Sequence, residues 1–333
     1  LYSSAASDVY KRQVSSAITL RETNHMQTVS FGKTGFNVSR LGIGLSEIGS
    51  QLSVSDQDQA TAMMNTALDS GINFLDTSAC YGISEMMVGK GVADRRDDYF
   101  LATKAGHVAL GADGDEWTYK VVSESIDRSL RLLKTDHVDL VQLHSCETDV
   151  LERGDVIRAL QKAQDAGKTR FFGYSGDNDA AHWAVDSGLF ATLQTSYNLV
   201  EQRARTSGLL EKATAQGMGT IIKRPIAGGI WGKSRPEARI DDAGQYNTPY
   251  LLRAKKIRSL GLIANEPEDG ILTALGYTLG DPNANVAIVG TINPSHMATN
   301  IKQVDNDLPI PVSVINELNS RFEKLDNDWA QRT

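Results

Sequence analysis

Short apolar runs alternate with amphipathic stretches along this chain, and the alternation predicts helices that feed strands. In DQDQATAMMNTALDSG (56–71) the apolar positions recur at helical spacing and end at Gly71, and INFLD (72–76) follows as a strand closed by an acid. Further apolar runs lie at YFLATK (99–104), HVDLVQLH (137–144), TRFFGYS (169–175), ATLQTSY (191–197), MGTIIKR (218–224) and NVAIVG (285–290). Each is preceded by a helix-like segment or a glycine-containing turn, and SRLGIGL (39–45) makes eight strands. Eight strands alternating with helices predict an α/β fold, a closed parallel (β/α)8 TIM barrel with its active site at the C-terminal strand ends. After the last strand, PIPVSVINELNSRFEKLDNDWAQ (309–331) predicts a proline-started amphipathic helix outside the barrel. The segment 225–252, after the seventh strand, reads as irregular and placed to fold over a ligand.

On this architecture Asp76, Tyr81, Lys104 and His144 share one rim. A phenol titrates near pH ~10 in water, and an ammonium beside it favours the phenolate. Lys104 is therefore expected to lower the Tyr81 pKa, with Asp76 holding Lys104 charged and oriented. Each residue alone has a plainer explanation. An aspartate after a strand is usually a cap or turn former, and a lone tyrosine, lysine or histidine is usually structural or solvated. The catalytic reading rests on all four falling at strand exits together.

The runs GINFLDTSACYG, ATK, VDLVQLH, GYS, QTSYN and GTINP follow one another as in aldo-keto reductases, and residues 27–325 resemble that family. The resemblance implies that Asp76, Tyr81, Lys104 and His144 form a tetrad that reduces carbonyls with a nicotinamide cofactor. Tyr81 would give the proton, and His144 would hydrogen-bond the substrate oxygen. VSFGKTGFNVSRLGIG (29–44) resembles the family's N-terminal β-hairpin, which plugs the barrel bottom, with Gly32 and Gly35 in its turns.

Cofactor contacts are implied as well. Gly44 and Leu45 would pass the nicotinamide ribose beside Asp76, and Ser175 and Gln194 would meet the carboxamide. Gly176 stands where many members carry asparagine, which leaves Asp177 or Asn178 as substitutes, or no contact. Lys223, Arg224, Pro225 and Ile226 match a subset with a KRP form, Arg224 reaching a pyrophosphate oxygen and Trp231 offered for ring stacking. Gly290 and Thr291 precede a helix capped by Asn293 and begun by Pro294, an anion site suited to the adenosine phosphate. Asn300 would contact adenine. Because Gly290 and His296 replace the Lys and Arg of NADPH-preferring relatives, NAD(H) stays open beside the NADP(H) that family grounds favour.

Composition narrows the remaining classes. No GxGxxG follows a strand and opens a helix, which argues against a Rossmann domain. The six histidines lack ligand spacing, so no metal is expected. A chain of 333 residues at 41% hydrophobic content can fill one barrel core, and a net charge of −7 argues against bulk nucleic-acid binding. Cys80 and Cys146 make no disulfide framework, in keeping with a cytoplasmic enzyme; both lie near the rim, and inert thiols are the plainer reading. LYSSAASDVYKRQVSSAITLRETNH (1–25) has no apolar run long enough for a secretion signal and resembles an adapter-derived translation. It is expected to be a disordered leader before a native start at Met26, with one barrel domain over 26–333.

The expected activity is reduction of aldehydes and ketones or oxidation of the matching alcohols, with no membrane partner. An NAD(P)-dependent aldose dehydrogenase is the alternative, and a nicotinamide-binding regulatory subunit is the reading of another class. Trp117, Tyr174 and Trp231 are the expected pocket wall. None of them distinguishes sugar from aliphatic substrate, and the sequence carries no signal for oligomeric state.

Overall fold

The computed structural model describes residues 26–233, 244–326 and 329. Two short strands, β1 (Thr28–Ser30) and β2 (Asn37–Ser39), pair antiparallel. Eight parallel strands follow: β3 (Leu41–Gly44), β4 (Phe74–Asp76), β5 (Phe100–Ala105), β6 (Val138–His144), β7 (Thr169–Ser175), β8 (Thr192–Ser196), β9 (Gly219–Lys223) and β10 (Val286–Gly290). They close as β10-β3-β4-β5-β6-β7-β8-β9, the (β/α)8 barrel that the apolar runs predict.

The helices lie where amphipathic segments separate those runs. Gln57–Asp69 buries Ala60, Met63, Met64, Ala67 and Leu68, three or four residues apart, as a face pressed on the barrel requires. Gly71 then takes φ 88°, a left-handed conformation that favours glycine, and turns the chain into β4. After β10, Val312–Leu325 buries Val314, Leu318 and Phe322 at four-residue spacing, and Trp329 meets Phe322 edge-on at 5.6 Å.

Inside the barrel a phenylalanine cluster fills the N-terminal end. Phe74 and Phe100 stack at 5.3 Å, and Phe31, from the turn between β1 and β2, meets them edge-on at 5.6 and 5.5 Å. A side chain at Gly219 would strike the Phe31 ring, so the bare backbone there admits the plug. The Lys33 N–H donates to the Gly217 carbonyl at 2.7 Å and fastens the hairpin to the barrel.

One expectation needs correcting. Within 225–252, residues 227–233 form tight turns and Gly244–Arg258 is a helix with Pro249 inside it. Glycine, asparagine and proline at its start resemble loop chemistry, but tertiary packing prevails: Tyr250, Leu251, Ala254 and Ile257 are buried. The proposed leader 1–25 and the middle of that segment, 234–243, lie outside the described residues. Among the described residues no helix is long and apolar enough to cross a membrane.

Candidate active site

Neighbouring strands bring the candidate residues together through their register. Asp76 ends β4 opposite Ala102, Lys104 pairs with Gln142, His144 with Ser175, and Ser175 with Gln194. Tyr81 comes from the loop after β4. The Ala79 N–H donates to the Lys104 carbonyl at 3.2 Å, and the Tyr81 N–H donates to the Ser78 carbonyl at 3.0 Å, folding the loop back over the rim.

Lys104 Nζ donates to Asp76 Oδ2 at 2.5 Å and to the Thr77 carbonyl at 3.0 Å, and lies 4.8 Å from the Tyr81 ring centroid. The other carboxylate oxygen of Asp76 accepts from Gln142 Nε2 at 3.1 Å and Gln194 Nε2 at 2.9 Å. Asp76 and Lys104 are each 1% exposed, so this ion pair is shielded from bulk solvent. Burial alone would depress the Lys104 pKa, but Asp76 and then Tyr81 outweigh it and hold the ammonium above its ordinary value. For Tyr81 the balance runs against the sequence expectation. Burial pushes the phenol above its ordinary value, and Lys104 opposes that rise without overcoming it.

His144 is held well below the ordinary histidine value, first by burial and then by the nearby charges of Lys104, Lys223 and Arg224. It is therefore a neutral imidazole at neutral pH. An unfolded histidine titrates near pH ~6.5, so its neutral burial contributes stability that is fully present above ~6.5 and lost as pH falls toward the lower folded value. In denaturant titrations from about pH 7.5 to about pH 5, His144→Gln should flatten a slope of at most about 1.4 kcal/mol per pH unit. An unchanged slope would show that His144 titrates normally.

Above these groups opens a cavity of about 1190 Å³ at the C-terminal ends of the strands. Of the sequence-predicted residues, Gly44, Leu45, Asp76, Tyr81, His144, Gln194, Lys223, Arg224, Pro225, Ile226, Gly290, Thr291 and His296 line it. Lys104 and Ser175 sit behind the lining; Ser175 Oγ donates to Gln194 Oε1 at 2.9 Å. Asn300 is buried on the helix Pro294–Lys302 and does not reach the lining.

The expected pocket wall is partly wrong. Trp117 lines the cavity, with its Nε1 donating to the His144 carbonyl at 2.9 Å. Tyr174 is instead buried, its hydroxyl donating to the Cys146 carbonyl at 2.7 Å. Trp231 is 1% exposed, donates to Glu266 Oε1 at 2.5 Å and packs under the Arg258 guanidinium at 4.0 Å, so it forms no face for ring stacking. Its indole N–H has a carboxylate partner in the protein interior, and that partner was not legible from the local sequence.

Gly176 has a packing reason: a Cβ there would collide with the Tyr174 ring. Neither proposed substitute, Asp177 nor Asn178, lines the cavity. Asn178 is exposed, while Asp177 is buried and accepts from Thr195 Oγ1 at 2.8 Å and the Ser196 N–H at 2.7 Å. Asp177 also pairs with Lys223 Nζ at 3.0 Å. Burial would raise the Asp177 pKa, but Lys223 and these hydrogen bonds hold it below the ordinary value. The same burial depresses Lys223, opposed by Asp177. The Lys-Arg pair is thus anchored at the cavity edge by a buried carboxylate; Arg224 Nη1 donates to Ser196 Oγ at 2.8 Å.

Sequence reasoning missed His107, Glu47, Asn247 and Tyr250, all of which line the cavity. His107 stands edge-on to His144 at 4.9 Å and to Trp117 at 4.8 Å. Its position three residues beyond Lys104 was the available signal. Glu47 lies against Gly290 so closely that a Cβ there would overlap the carboxylate, a contact across 243 positions that local pattern does not reveal. Among the described residues no His, Cys, Asp and Glu group is arranged to hold a metal.

A closed parallel barrel, with a carboxylate, lysine, phenol and histidine on one rim, belongs to a known class. The chain is a member of the aldo/keto reductase family, an oxidoreductase family whose model matches residues 40–320. It is similar to L-galactose dehydrogenase from Arabidopsis thaliana, 30% identical over 320 residues that cover 90% of this chain and 95% of that one. It is also similar to D-threo-aldose 1-dehydrogenase from Pseudomonas sp, at 25% identity with 84% and 92% covered. The holo form of an aldo-keto reductase from Bacillus halodurans shares the fold, with TM-score 0.73, 24% identity, and 89% and 96% of the two chains covered.

Proposed function

We propose that this protein is an NAD(P)-dependent oxidoreductase that interconverts small carbonyl compounds and their alcohols, with Asp76, Tyr81, Lys104 and His144 as its reacting set. The observation that carries the reading is the Asp76–Lys104 pair, buried against Tyr81 beneath a cavity of about 1190 Å³. Tyr81 gives its proton to the substrate oxygen in reduction and takes it back in oxidation. Lys104 stabilises the phenolate that remains, and Asp76 keeps Lys104 charged. Neutral His144 donates a hydrogen bond to the same oxygen and fixes its position. The nicotinamide, when bound, supplies or accepts the hydride.

The lining suits such a dinucleotide. Gln194 would meet the carboxamide, Lys223 and Arg224 the pyrophosphate, and Gly290 with Thr291 the adenosine end, all of them lining the cavity. The cofactor reading favours NAD(H), because the Glu47 carboxylate lies against Gly290 and the described lining there has no lysine or arginine to meet an added phosphate. Sugars of the aldose type are the favoured substrate, since both similar dehydrogenases are named for them.

Fluorescence titration with NADH and NADPH, followed by turnover on aldoses, aldehydes and ketones, tests this reading. NADH should bind more tightly, and Glu47→Gln should improve NADPH binding several-fold, the effect of removing about 1 kcal/mol of charge repulsion. Equal or tighter NADPH binding by the unaltered protein would overturn the cofactor assignment. Binding without turnover on the panel would favour a regulatory subunit, and no binding would remove the proposal's basis.

A further inference from the structure

Two side chains outside the reacting set converge on one edge of His144. Its Nδ1 lies 3.3 Å from Ser78 Oγ and 3.4 Å from Cys80 Sγ, and those two atoms are 3.2 Å apart. Ser78 is 1% exposed, and its Oγ also accepts the Cys80 backbone N–H at 3.4 Å. Among the described residues nothing hydrogen-bonds His144 Nε2, although His144 lines the cavity. We propose that Ser78 and Cys80 are positioning residues that keep His144 Nδ1 unprotonated, so that the ring proton stays on Nε2, where the substrate oxygen needs a donor. This rests on the role given to His144 under the proposed function.

Proton counting supports one tautomer over the other. Oγ, Sγ and Nδ1 form a triangle of possible donors and acceptors. With Nδ1 bare, the Ser78 hydroxyl donates to Nδ1 and the Cys80 thiol donates to Ser78 Oγ, so both protons are used. With a proton on Nδ1 the ring itself must donate into the triangle, and one of the other two donors is displaced from it. Burial, as the larger influence, keeps Cys80 above its ordinary thiol value, so its S–H is present as a donor at neutral pH. The neutral state of His144 makes the choice of nitrogen matter, because an imidazolium would carry protons on both.

Nitrogen-15 NMR of the full chain labelled at histidine tests the assignment without substrate or cofactor, with the His144 signal identified by its loss in His144→Gln. The unaltered protein should show the Nε2–H tautomer. Ser78→Ala with Cys80→Ala should give a tautomer mixture and a kcat roughly tenfold lower at unchanged cofactor affinity. Cys80→Ser, which keeps a donor at that position, should retain both the tautomer and most of kcat. Cys80→Asp places an acceptor beside Nδ1 and should drive the proton onto it. An Nδ1–H signal in the unaltered protein, or a double-alanine variant with unchanged spectrum and kcat, would overturn the proposal. Failure of the functional reading is a separate result: a fixed Nε2–H tautomer alongside unimpaired turnover by His144→Gln would show that the ring is positioned but not used.

Discussion

Tyr81→Phe is expected to lower kcat by about 10²- to 10⁴-fold while leaving the dissociation constant for the nicotinamide cofactor unchanged. The substitution removes only the hydroxyl, so the ring keeps its edge-on contact with His144 at 5.7 Å and its place beside Lys104. Binding is measured by fluorescence titration and turnover by absorbance of the nicotinamide. A variant that retains most of its kcat would show that another group moves the proton. A variant that loses cofactor affinity in proportion would mean that the hydroxyl holds the dinucleotide. Because burial raises the Tyr81 pKa in the free protein, the phenol is protonated at neutral pH, as the proposed proton donor must be. On the proposed mechanism the difficulty lies in bearing the negative charge afterwards, which Lys104 would relieve.

The second large effect concerns the Asp76–Lys104 pair, where stability and activity should separate. Lys104→Met leaves the Asp76 carboxylate buried with the Gln142 and Gln194 amides as its remaining partners among the described residues. Asp76→Asn leaves the ammonium buried without its counter-ion. Each single variant is expected to lose about 3 to 5 kcal/mol in denaturant unfolding, because an uncompensated charge stays in the interior. Asp76→Asn with Lys104→Met should recover most of that stability, since neither charge remains, but not the activity. Recovered turnover in the double variant would sink the assignment of Lys104 to the phenol. The pH profile has a definite sign as well. The folded Lys104 pKa is raised, so its stabilisation is fully present below the unfolded value near ~10.4 and lost only as pH rises through the folded one.

The barrel was legible because its strands are buried on both faces and therefore read as continuous apolar runs, which survive in sequence without alignment. The rim tetrad was legible for a related reason: each member lies within a few residues of such a run, so locating the strand ends locates the side chains. What the sequence concealed depends on contacts between distant elements. The polar tips of the buried Trp231 and Tyr174 are satisfied by Glu266 and the Cys146 carbonyl, neither of which is a local neighbour. Asp177 resembled a ligand contact because it follows Ser175, yet its partners Thr195, Ser196 and Lys223 come from the next two strands. The direction of the Tyr81 shift was hidden too, because adjacency to Lys104 could be inferred while the weight of burial could not.

The hairpin and its phenylalanines cover the N-terminal end of the barrel, and the cavity of the candidate site opens at the other end. On the proposed function, cofactor and substrate would both reach the rim from that side, and the one lying deeper would enter first and leave last.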